Sequence, residues 1–336
     1  MTETIEIVGV DASPYTAKVR AVCRYRGLPY RWTCLFPQFN ERYAEVRPQV
    51  MPMVKLPGEA YRTDSTPIIL ELERVYPGSR SVIHPDPAIA FLSYLIEDMA
   101  DEWLAKCLFH YRFAHDRDAN YAARWVVSDA WLGKRGTERD EAVNLFRDRQ
   151  RSRMGLVGCT PENGPLLESS YRQVLEAMEG LASNGEYLFG QRPSLGDFGL
   201  YAQLRTLSTD PTSLDVMRAH APFTEFWTRQ LDDASGIDGT WSASRNSLSP
   251  TVQALLKLTG EIYLPFLRAN ADAIEAGQET FVLSLGGCGF SQPVFRYQQK
   301  CLSMLRSQFA RLEPLDAAWV KELLADTQGW AVLTAS

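Results

Sequence analysis

No stretch of this chain approaches eighteen consecutive apolar residues, so a membrane-spanning helix is not expected. Basic residues are also in deficit, 35 Lys and Arg against 41 Asp and Glu, for a net charge of -6. That balance denies the chain the basic face that would grip nucleic acid or an anionic membrane. The six cysteines lie far apart, without the paired spacing of a zinc site or a disulfide framework. They read as reduced, mostly buried thiols, and no metal is expected. Residues Met1 to Glu6 carry acids and no apolar core, unlike a secretory leader, so the expected compartment is the cytoplasm. Internal repeats and low-complexity segments are absent. So are a Gly-x-Ser-x-Gly elbow and a His-Glu-x-x-His pair. Gly286-Gly287-Cys288-Gly289 is followed by no Lys-Ser/Thr and reads as a tight turn, not a phosphate loop.

What is present is a chain of 336 residues, long enough for two packed units. Ile5 to Val8 reads as a strand, and Lys18 to Tyr25 as a helix stopped by Gly27 and Pro29. Tyr30 to Cys34 is a second strand, Asn40 to Arg47 a short helix, and Met53 to Arg62 a hairpin turning at Pro57-Gly58. Thr66 to Tyr76 closes the unit as a helix with Ile68, Ile69, Leu72 and Val75 on one stripe. This order is that of a thioredoxin-like domain. We assign it to residues 1–80, with a linker at 81–87 and an all-α domain at 88–240. The fold class is α+β, the second domain being the larger. Residues 241–336 form a mostly helical extension, packed on the α domain, with one short strand at Phe281 to Leu285.

Ser13-Pro14 stands where a helix beginning near Tyr15 exposes its first free N–H groups, which makes an anion site of the turn. Ser13 is either a simple helix cap or a group that meets the anion. Ser13-Pro14-Tyr15-Thr16 has the frame of a thiol-exchange motif with hydroxyls at both cysteine positions, so a mixed disulfide cannot form there. Pro52 sits between a loop and an exposed strand, where a cis bond costs about 0.5 to 1 kcal/mol, against about 2.5 to 4 for other residues. Asp64-Ser65 lies at a strand-to-helix turn, and Ser194 with Asp197 has capping-box spacing.

Three stretches together resemble the glutathione S-transferase family: Ser13 to Arg20, Val50 to Val54 with Asp64 to Ile69, and Arg192 to Phe198. The resemblance covers roughly residues 5 to 235. It implies that glutathione is the co-substrate. The backbone at Met51 beside Pro52 would pair with its cysteinyl part, and Asp64 and Ser65 would hold its γ-glutamyl end. It also implies that Ser13 stabilises the thiolate, with Tyr15 and Thr16 as alternative hydroxyls. A small apolar electrophile would sit between Ser13 and the first long helix, against Tyr15, Trp103, Cys107, His110 and Tyr111. Those helix residues read equally well as a stripe of core side chains. The family further implies a homodimer, and either transferase or related lyase, isomerase or peroxidase chemistry. A non-catalytic glutathione-fold module is the alternative outside enzymology. The extension departs from the family pattern, and its helices either cover the active site or pack on the far side.

Overall fold

The structure, a computed structural model, describes residues 4–78, 80–130, 136–242, 244–327 and 329–334. Strand β1 (Ile5–Val8) leads to helix α1 (Pro14–Tyr25), β2 (Tyr30–Thr33), β3 (Met53–Lys55), β4 (Tyr61–Thr63) and α2 (Ser65–Val75). The strands form one mixed sheet in the order β2-β1-β3-β4. β1 runs parallel to β2 and antiparallel to β3, with Ile7 opposite both Trp32 and Val54. This is the thioredoxin-like arrangement read from the sequence. Between β2 and β3 the expected short helix is two 3-10 turns, Pro37–Phe39 and Glu41–Glu45. The two turns themselves bury only Pro37, with Val46 anchoring the chain just beyond them, too little apolar surface to hold a regular helix.

A large helical region follows. α3 (Pro87–Met99) starts where Asp86 accepts the N–H groups of Ala88 and Ile89, with Pro87 at the first helical position. It passes through a π-helical turn at Ala100–Leu104 into α4 (Ala105–Ala114). Then come α5 (Asp116–Ala130), α6 (Thr137–Ser152), α7 (Gly164–Ser183), α8 (Leu195–Leu207), α9 (Pro211–His220) and α10 (Pro222–Asp232). α8 is the buried axis. Ser194 and Asp197 close its capping box, and it packs on α1, α3 and α10. A Cβ on Gly199 would lie 2.8 Å from Glu97 Cγ, so glycine sets how closely α8 approaches α3.

The remaining chain forms α11 (Pro250–Leu258), a second π-helical turn at Thr259–Tyr263, α12 (Leu264–Glu275), β5 (Thr280–Leu285), β6 (Cys288–Pro293), α13 (Arg296–Phe309), α14 (Pro314–Leu324) and α15 (Gly329–Thr334). The expected strand has a partner. Phe290 and Gln292 alternate into the interior along β6, which makes a hairpin around Gly286-Gly287. Phe266 and Phe290 lie 5.2 and 5.5 Å from Trp103, and Phe309 lies 5.5 Å from Phe91. Arg245 bonds both Asp86 and Asp316. The segment therefore shares one continuous apolar core with the rest of the chain. No helix among the described residues is long and apolar enough to cross a membrane.

Candidate active site

A cleft of about 690 Å³ opens between the sheet unit and the helices. Its first wall is the turn before α1. Ala12 donates its N–H to Asp129 Oδ2 at 3.0 Å and accepts from Arg112 Nη1 at 3.1 Å, while Arg112 is paired with buried Asp210. Asp11 accepts from Arg20 and Arg205. Residues of the helical region thus fix the turn that carries Ser13.

Ser13 caps α1, its Oγ accepting the Thr16 N–H at 3.3 Å, and it also lines the cleft. The two roles are compatible, because a hydroxyl has two lone pairs and one proton, and capping uses only a lone pair. The alternative hydroxyls stand differently. Tyr15 lines the cleft, but its OH donates to the Asp101 carbonyl at 2.9 Å. Thr16 is fully buried against Gly9, where any Cβ would collide with its Oγ1, and so faces away from the cleft.

The second wall comes from the loop before β3 and the start of α2. Met51 lines the cleft, and its bond to Pro52 is cis, as is Arg47-Pro48. Asp64 and Ser65 line it too. Asp64 has φ +79°, the one non-glycine residue with positive φ among the described residues. Such a backbone costs of order 1–3 kcal/mol and is held by its surroundings. Here Tyr297 OH donates to Asp64 Oδ2 at 2.9 Å, and Lys300 Nζ stands 3.4 Å from the same atom. Both come from α13.

The third wall is α3–α4, and here the sequence expectation needs correcting. Trp103, Cys107, His110 and Tyr111 do share a face, but none of them lines the cleft. Trp103 packs on Phe266 and Phe290, and Cys107 Sγ meets the Trp103 carbonyl. His110 Nε2 is 3.2 Å from Glu168, and Tyr111 packs edge-on against Tyr171. They are core residues, as the plainer reading had it. The opposite face meets the cleft, with Asp98, Asp101 and Glu102 in and around the π-helical turn and Phe109, Arg112 and Phe113 beyond it. Periodicity detects both faces and does not say which one a cleft takes.

The acids make one end of the cleft electrostatically loaded. Buried Lys18 bonds Glu97 at 2.6 Å and Asp101. Burial opposes its charge, yet those two carboxylates overcome the penalty and raise its pKa. Burial pushes the Asp101 carboxyl up to about 7, against the pull of Lys18, and lifts Glu102 to about 7. Asp98 is raised well above the carboxylate range by burial, although Tyr263 donates to it. Lys106 is driven down to about 8, chiefly by burial, and donates to the Val157 carbonyl and Gln292. Sequence reading missed this cluster. Its signal was there, since Glu97, Asp98, Asp101 and Glu102 recur at a spacing of four within an otherwise apolar helix.

Residues 7–80 match the family model described as the glutathione S-transferase N-terminal domain. Among solved structures, the chain is similar to the beta-etherase LigF of Sphingobium sp. strain SYK-6, with 19% identity and a TM-score of 0.48 over 68% of this chain and 95% of that one. It is also similar to a glutathione S-transferase of Methylobacterium radiotolerans in complex with glutathione sulfonate, with 18% identity and a TM-score of 0.43 over 72% of this chain and 98% of that one. Glutathione transferase E6 of Drosophila melanogaster shows 16% identity and a TM-score of 0.38 over 69% and 92%. Comparison with curated proteins gives no match. The chain thus carries an N-terminal domain that matches the glutathione S-transferase N-terminal model, followed by a large helical region.

Proposed function

We propose that the chain is a glutathione-dependent transferase-like enzyme, binding glutathione along Met51-Pro52 and Asp64-Ser65 and stabilising its thiolate with Ser13. One observation carries the reading: Ser13, Met51, Asp64 and Ser65, from three separate stretches of a domain matching the family model, line a single cleft. Ser13 is the hydroxyl of its turn that lines the cleft without having given its proton to a carbonyl.

The energetics are sufficient. A thiol with pKa near 8.5 is only about 3% ionised at pH 7, and lowering it two units takes about 2.7 kcal/mol. A charge-assisted hydrogen bond supplies about 1.5 to 3, and the N-terminus of α1 about 0.3 to 1. Ser13 therefore donates to the sulfur and keeps its own proton. The thiolate would then attack an apolar electrophile lying toward Phe36, Phe109, Phe113 and Phe146, which wall the other end of the cleft. That end replaces Trp103, Cys107, His110 and Tyr111 as the acceptor site. A cytoplasmic homodimer belongs to the same reading, and light scattering tests the dimer.

Retention on immobilised glutathione tests binding, and thiolate absorbance of the bound tripeptide tests catalysis. Wild type should bind and lower the thiol pKa, and Ser13→Ala should bind with the pKa largely restored. A wild type that fails to bind ends the reading. A wild type that binds without moving the thiol pKa is a binding module, not a transferase.

A further inference from the structure

We infer that α13 completes a clamp for an α-amino-acid zwitterion, with Asp64 taking the ammonium and Lys300, Ser65 and the first turn of α2 taking the carboxylate. The inference rests on the glutathione reading and assigns residues of the C-terminal segment to the γ-glutamyl end of that ligand.

The geometry begins with Asp64. Tyr297 and Lys300 both approach its Oδ2. Among the described residues no hydrogen bond falls on Oδ1, so one carboxylate oxygen is held while the other stays available to a further donor. Lys300 lies 3.4 Å from Oδ2 and 5.2 Å over the Tyr297 ring, with its side chain half exposed. A carboxylate and an ammonium side by side form a dipole. An α-amino acid end group is a dipole of similar span, and it docks head to tail, its ammonium on the carboxylate and its carboxylate on the ammonium.

Local charge makes a cation from α13 necessary. Asp101 and Glu102 line the cleft, with Glu102 close enough to feel the Asp64 charge, and their ionised forms favour the ligand's ammonium and repel its carboxylate. The nearby lysines are committed elsewhere. Lys18 is buried between Glu97 and Asp101, and Lys106 bonds the Val157 carbonyl and Gln292. Ser65 and the free N–H groups of α2 supply partial positive charge only. Lys300 supplies a whole one.

α13 is not a loose appendage. Asn270 of α12 brackets the residue before it, donating to the Phe295 carbonyl at 3.0 Å and accepting its N–H at 2.8 Å. Phe295, Tyr297, Gln298 and Cys301 all line the cleft. The clamp is thus preorganised, which limits the side-chain entropy lost on binding.

Calorimetric titration of the full chain tests the clamp with two ligands, glutathione and the analogue that lacks the γ-glutamyl α-carboxylate, 4-aminobutyryl-cysteinyl-glycine. Lys300→Met should weaken glutathione about tenfold and leave the analogue's affinity unchanged, while Lys300→Arg retains most glutathione binding. Equal or tighter glutathione binding by Lys300→Met overturns the clamp and makes Lys300 a competitor for Asp64. An equal loss for both ligands also overturns it, because the effect is then structural. If wild type binds neither ligand, the glutathione reading falls and the clamp with it. If wild type binds glutathione and only the Lys300→Met expectation fails, the glutathione reading stands.

Discussion

The two ends of the cleft are built by different physics. At the Asp64 end the groups are ionisable: Asp98, Asp101 and Lys18 are buried and Glu102 half-buried, with Tyr263 donating to Asp98, Lys18 to Asp101 and Gln298 to Glu102. At the other end Val10, Phe36, Phe113, Val126 and Phe146 meet through packing alone, with ring centroids 6.2 Å apart for Phe36 and Phe146. Losing one member of a charge network strands the others in low dielectric. Losing one ring leaves a larger pocket that still excludes water. The first end should therefore break sharply and the second degrade gradually.

Lys18→Met makes the largest break. It leaves Glu97 and Asp101 buried without their cation, and removal of one member of a buried pair typically costs about 3–5 kcal/mol. Urea denaturation should show that loss, and Lys18→Met with Glu97→Gln should recover part of it. An additive double variant would mean that the network is not coupled.

Ser13→Ala comes next, at the midpoint of the cleft. Loss of the helix cap costs about 1 kcal/mol of stability, and the thiol pKa of bound glutathione should rise by about one to two units. The two readouts separate capping from chemistry. A pKa that stays put while stability falls would leave Ser13 a cap only.

At the apolar end, Phe146→Ala should weaken an apolar acceptor by about 1–2 kcal/mol through lost contact area. It should leave glutathione affinity and thiol pKa unchanged. A change in either would mean that the ends are not independent.

The same contrast explains what was legible in the sequence. Helix caps are local, so Ser13 and Ser194 mark the starts of their helices in the residue order itself. The β3–β4 turn and the approach to Pro52 are local too. The charged end joins α1, α3, the π-helical turn and α13. Lys18 meets Asp101 across 83 residues and Asp64 meets Tyr297 across 233, separations that no local pattern encodes. Trp103, Cys107, His110 and Tyr111 failed as an acceptor site because both faces of α4 carry aromatic residues. Which one met the cleft was settled by Phe266 and Phe290, far downstream.

The smallest effect is a pH dependence peculiar to the charged end. In the folded protein burial pushes the Asp101 and Glu102 carboxyls up to about 7, from ordinary values of 3.8 and 4.5. Between about pH 4 and 7 the folded state therefore holds protons that the unfolded chain has released, and its stability falls as pH rises through that window. Denaturation midpoints measured from pH 4.5 to 7.5 should show this decline, and Glu102→Gln should flatten it by removing one titrating group while keeping its shape. Phe146→Ala should leave the slope of that pH profile untouched, because Phe146 packs on Phe36 and Phe113 and on neither carboxyl. If both variants change the slope alike, the charge network extends the length of the cleft, and the division between its two ends is wrong.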